Sequence, residues 1–247
     1  MRQDVSIPTK AGDATAYAFT PDTGAGPWPA VLIYMDAPGI RPSLFEMGDR
    51  LAQNGYFVLL PDLYWRAGPH EPFNFMAARA GDPVQAAMMA NFRAHMTPES
   101  VLEDTGDFLD WIAAQPKVKA GKVGVTGYCM GGGMAIRAAG VYPDRVAAAA
   151  SFHGGGMATD DPNSPHLQAA SIKAKVLVAG ADQDASFPEE QRDRLSAAMN
   201  EAKVDAQVSI WPGVKHGWVP SDMPAHDKAG AERHWKELTG LLATALA

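Results

Sequence analysis

Apolar positions along the chain switch between two spacings. Near the start, "DVSIPT" and "TAYAFT" flank the turn-forming "KAGD", which predicts a two-stranded hairpin. "PAVLIYM" differs: it is an unbroken, β-branched run, the pattern of a strand buried on both faces. "SLFEMGDRLAQNG" then places apolar residues at helical spacing before a glycine stop, and "YFVLLPDLY" reads as a second buried strand. After a long irregular stretch, Thr97 and Pro98 supply an N-cap and first helical residue for "ESVLEDTGDFLDWIAAQ". In that helix Val101, Phe108, Leu109 and Ile112 share one face, and Pro116 ends the run.

The alternation continues with the strand "KVGVTG", the helix "MGGGMAIRAAGVY", the strands "RVAAAASF" and "AKVLVAG", and a helix beginning near Pro188. The strand "AQVSIW" and a final helix bearing Trp235, Leu238 and Leu242 complete it. Such a pattern predicts a mainly parallel sheet covered on both faces, a three-layer α/β sandwich. Ligands in such sheets gather beyond the carboxyl ends of the strands, so residues just after a strand are the first candidates for chemistry. No repeat, low-complexity segment or linker interrupts the 247 residues, and one domain spanning 1–247 is expected.

Composition narrows the function. With 47% hydrophobic and 20% charged residues the chain can build a core, and its net charge of -7, without any basic run, argues against nucleic-acid binding. One cysteine excludes an internal disulfide, and the opening residues lack the apolar core of a signal peptide, so a cytoplasmic location is expected. The longest apolar runs fall well short of the roughly 20 residues that cross a bilayer, so no membrane partner is expected. His166, His226 and His234 lack metal-ligand spacing, and the clustered glycines lack a G-x-G-x-x-G phase with a downstream acid. Neither a metal nor a dinucleotide cofactor is expected.

The chemistry centres on Gly127-Tyr128-Cys129-Met130-Gly131, which fits the nucleophile elbow G-x-S-x-G with sulfur in place of oxygen. Glycines flank such a nucleophile because side chains two residues to either side would collide in the sharp strand-to-helix turn. A thiolate there also meets the positive end of the following helix. "KVLVAGADQDASFP" then delivers Asp182 and Asp184 after a buried strand, and "VSIWPGVKHGW" delivers His216 after the next. Nucleophile, acid and histidine thus follow one another in the chain order seen in α/β-hydrolases. His153, in "SFHGGG" after another strand, is a candidate pocket residue.

"GYCMGG", "DQDASFP" and "VKHGW" resemble the dienelactone hydrolase family of the α/β-hydrolase superfamily, and the likeness runs from "PAVLIYMDAPGI" through the last helix. The resemblance implies an α/β-hydrolase sandwich with a carboxylic ester or lactone hydrolase activity of the carboxymethylenebutenolidase type. It also implies a small-molecule substrate and no cofactor. It makes Asp184, separated from Pro188 by three residues, the acid beside His216 and Cys129, with Asp182 as the alternative. It assigns the oxyanion hole to the backbone N–H groups of Ala37 and Met130, and gives Asp36 the family's acidic position that accepts the resting thiol's hydrogen bond. Family members that open dienelactones hold the substrate carboxylate with arginines, one of them four residues after the catalytic histidine, where this chain has Pro220. Arg41 and Arg66 are the replacement cations to examine. A rival of another class is a non-hydrolytic thiol protein on the same fold, a redox sensor or binding module, which needs a reactive cysteine but no general base.

Overall fold

The computed structural model describes residues 1–70 and 73–247. Eight strands form one sheet in the order β1-β2-β4-β3-β5-β6-β7-β8. The hairpin is β1 (Arg2–Thr9) with β2 (Gly12–Phe19), antiparallel as the alternation predicts, and β2 joins β4 antiparallel. From β4 (Phe57–Pro61) onward every pairing is parallel, through β3 (Ala30–Tyr34), β5 (Val123–Tyr128), β6 (Val146–Phe152), β7 (Lys175–Gln183) and β8 (Ala206–Lys215). β3, β4 and β5 are buried at every residue, which accounts for their unbroken apolar character.

Two helical layers enclose the sheet. α1 (Pro42–Gln53) and α7 (Lys228–Ala245) lie together on one face, joined by the Arg50–Glu232 ion pair and by Arg50 stacked over Trp235. On the other, α4 (Pro98–Ala113) packs on α5 (Met130–Val141), and α6 (Glu189–Glu201) packs against β8. α4 follows its prediction: Thr97 and Ser100 form a reciprocal capping box, and Val101, Phe108, Leu109 and Ile112 are buried.

The stretch read from sequence as irregular holds two further helices, α2 (Phe75–Arg79) and α3 (Pro83–His95). Local caps start them: Asn74 accepts from the Ala77 N–H and Asp82 from the Gln85 N–H. Only Phe92 of α3 is buried, so no apolar stripe announces the helix. Among the described residues no helix is long and apolar enough to cross a membrane.

Topology then places the crevice. β3 lies between β4 and β5, so the chain winds outward from it in both directions, and the carboxyl ends of β3 and β5 border the switch point.

Candidate active site

Strand register brings the sequence-selected residues to one edge. Tyr128, at the end of β5, pairs with Phe152 at the end of β6, so Cys129 and His153 leave the sheet side by side. Gln183 pairs with Lys215 at the far ends of β7 and β8, so Asp184 and His216 also emerge as neighbours. Cys129 is half-buried at φ 54° and ψ -119°, a left-handed position that a non-glycine residue adopts only where its surroundings impose it. The elbow glycines impose it here. A Cβ on Gly127 would sit 1.9 Å from the Gly131 carbonyl oxygen, and one on Gly131 would sit 2.4 Å from the Tyr34 oxygen. Bare backbone at Gly131 therefore lets the first turn of α5 abut the end of β3. Met130 opens α5, so its N–H has no acceptor within the helix.

His216 is held by the acid. Its Nδ1 lies 2.6 Å from Asp184 Oδ2, and the nearby Cys129 side chain also raises the ring's proton affinity. Asp184 is itself held: Ser186 donates to Oδ1 from its backbone N–H at 2.9 Å and from its hydroxyl at 2.6 Å. Burial favours the neutral imidazole, but the bonds to Asp184 and Cys129 outweigh it and push His216 up to about 10. Burial likewise opposes ionisation of Asp184, yet His216 and Ser186 hold it down at about 2. Asp182 points elsewhere, accepting from the Gly213 N–H at 2.9 Å and so bracing β7 against β8.

These shifts have a pH signature. A histidine with raised affinity stabilises the fold fully below its unfolded value, near 6.5, and loses that contribution as pH rises through about 10. Asp184 contributes above its unfolded value of about 3.9 and loses it as pH falls through about 2. The stability difference between wild type and Asp184→Asn, from urea unfolding, should therefore be largest between about pH 4 and 6.5 and shrink above it. A difference that grows from pH 7 to 9 would contradict this pairing.

The model of the Dienelactone hydrolase family matches residues 14–246. The chain belongs to the dienelactone hydrolase family. It is 27% identical over 236 residues to a Salmonella typhi protein named "Putative carboxymethylenebutenolidase", covering 94% of this chain and 83% of that one. A protein of the same name from Methylorubrum extorquens is 26% identical over 238 residues, covering 95% and 78%. The crystal structure of a "Putative Dienelactone Hydrolase" from Klebsiella pneumoniae superposes with a TM-score of 0.84 at 24% identity over 98% of each chain, a likeness of fold. The protein is thus a dienelactone hydrolase-like hydrolase on an α/β-hydrolase fold.

Other candidates sit differently from expectation in this dienelactone hydrolase relative. Among the described residues the side-chain hydrogen bonds to Asp36 come from Arg41, at 2.5 and 2.9 Å. The Arg41 guanidinium beside it engages both carboxylate oxygens. Arg66 turns away to Asp104 on α4, donating at 3.0 and 2.7 Å, and Trp65 donates to the same carboxylate at 2.9 Å. His153 is fully buried under the nucleophile at φ 42°; its Nδ1 accepts from the Cys129 N–H at 3.0 Å. Burial, then the nearby His216, pushes its affinity well below 6.5, so the ring is neutral and its proton is on Nε2. It supports the elbow from below.

Two residues that periodicity could not single out complete the site. Ser186 orients Asp184, and Tyr64 spans the crevice: its hydroxyl donates to the Ala37 carbonyl at 2.8 Å and lies 3.7 Å from Met130 Sδ. Stacked on Phe92 at 4.1 Å, Tyr64 ties α3 to both sides of the crevice.

Proposed function

We propose that this hydrolase cleaves an ester or lactone through Cys129, His216 and Asp184, by way of a thioester. The observation that supports this most directly is the His216 ring, bonded to Asp184 at 2.6 Å and close enough to the thiol of a strained elbow for Cys129 to raise its proton affinity. In the reacting state the proton given up by the thiol is held on His216, and the sulfur adds as a thiolate to the carbonyl carbon. Negative charge develops on the carbonyl oxygen, where the N–H groups of Ala37 and Met130 meet it; two such fixed donors are worth a few kcal/mol each. The tetrahedral intermediate collapses as the C–O bond to the leaving group breaks, and the imidazolium returns its proton to the departing oxygen. Water, deprotonated by the same ring, then attacks the thioester, and the sulfur leaves and is reprotonated.

A non-hydrolytic thiol protein would need neither the Asp184 bond nor the Ser186 brace behind it. Mixing the protein with an excess of a 4-nitrophenyl ester separates the readings. A burst of nitrophenolate should match the enzyme concentration, with one acyl group found on Cys129 by peptide mass spectrometry. Steady turnover with an unmodified Cys129, or an acyl group lodged elsewhere, would remove the mechanism.

A further inference from the structure

Arg41 lies between two carboxylates. Its Nη1 donates to Asp36 Oδ1 at 2.5 Å and to the Gly39 carbonyl at 3.0 Å. Nη2 donates to Asp36 Oδ2 at 2.9 Å and to Asp222 Oδ1 at 3.1 Å, and Nε donates to Asp222 Oδ2 at 2.6 Å. A guanidinium has five N–H groups, and all are committed. The two faces of the fork are unlike. The Asp36 side chain is 3% exposed and belongs to the interior, whereas that of Asp222 is 41% exposed. Asp222 therefore occupies the one face of the guanidinium that a dissolved carboxylate could reach, in the bidentate geometry a substrate carboxylate would use.

That face opens on a cavity of about 480 Å³ whose remaining walls are mainly Pro38, Phe73, Phe75, Met76 and Met223. Two of its walls connect to residues beside the proposed reacting groups. Pro38 follows Ala37, and the Met223 methyl lies against Gly217, the residue after His216. The Asp222 loop is fixed in place: the Ser221 hydroxyl donates to Glu46 on α1 at 3.0 Å, and the Met223 N–H donates back to the Pro220 carbonyl at 3.3 Å. A tethered carboxylate competes with a dissolved one at an effective concentration on the order of millimolar or above. A free anion must also displace it in a pocket that offers no other cation among its described wall residues.

We propose that Asp222 determines specificity by filling the outer face of Arg41, so that the cavity accepts the uncharged, apolar part of an ester and turns away a carboxylate-bearing one. This rests on the acyl-transfer reading above and gives it a substrate class.

The test compares two 4-nitrophenyl esters of equal acyl length, the valerate and the glutarate monoester, with wild type, Asp222→Ala and Asp222→Asn. Wild type should favour the valerate in kcat/KM by about tenfold or more. Asp222→Ala should raise the glutarate-to-valerate ratio roughly ten- to hundredfold, chiefly through KM, because two charge-assisted bonds become available. Asp222→Asn should raise it less, and it carries the test if the alanine variant does not fold. Adding Arg41→Gln to Asp222→Ala should cancel the gain, which a merely structural loop residue would not produce. A wild-type preference for the glutarate ester, or a ratio unmoved in a folded variant that still cleaves valerate, overturns the role of Asp222 alone. If wild type cleaves neither ester, the acyl-transfer reading falls and this inference with it.

Discussion

Cys129→Ala should lower hydrolysis of an activated aryl ester by a factor of roughly 10⁴ or more, His216→Ala should cost nearly as much, and the double variant should be little worse than either. Non-additivity is the informative part. In the proposed mechanism thiol and imidazole act as one unit, because His216 contributes only through the proton it exchanges with the sulfur and the leaving oxygen. Once one is gone, the other has nothing left to do. Residual turnover in both variants comes from whatever the Ala37 and Met130 donors and the cavity provide alone. The measurement is kcat/KM by initial rates, with near-ultraviolet circular dichroism confirming that each variant keeps native packing. Undiminished turnover in Cys129→Ala, or losses in the two single variants that multiply in the double, would show that another group performs the attack.

Gly127→Ala should destabilise the fold by about 3 kcal/mol or more and abolish measurable activity with it. The added methyl would lie 1.9 Å from the Gly131 carbonyl oxygen, 2.3 Å from its carbonyl carbon and 2.8 Å from the Gly132 nitrogen. These are backbone atoms of the first turn of α5 and cannot rotate out of the way. Relief requires α5 to lift from β5, which moves Cys129 and separates the Met130 N–H from the Ala37 loop. Gly133→Ala is the matched control, since a Cβ there meets nothing within 4 Å. Inside a helix it should be neutral or stabilising by up to about 1 kcal/mol. Urea midpoints decide between the two: equal shifts would mean that the elbow tolerates a side chain at Gly127.

Much of this molecule is legible in its linear chain. Buried parallel strands need apolar residues on both faces, so "PAVLIYM", "YFVLLP" and "KVGVTG" announce β3, β4 and β5 without tertiary information. The elbow is equally plain, because backbone atoms approach too closely at Gly127 and Gly131 for any side chain, and the requirement is written in the residue type itself. The sequence alone also sets which residues leave the sheet at its carboxyl edge, since strand ends follow from strand patterns.

Tertiary structure decided how those residues are wired. Asp182 lies in the last residues of β7 and Asp184 just beyond it, and the register of Gln183 against Lys215 brings the second to His216 and leaves the first to the Gly213 N–H. Arg41 reads as a free cation in "GIRP", yet a partner 181 positions away completes its saturation. His153 reads as a pocket residue and is buried beneath the nucleophile. Local periodicity reports which side of an element faces the interior. A hydrogen bond between two charged side chains depends on where separate loops end in space, and loop ends follow from strand order, register and packing, not from the spacing of apolar residues.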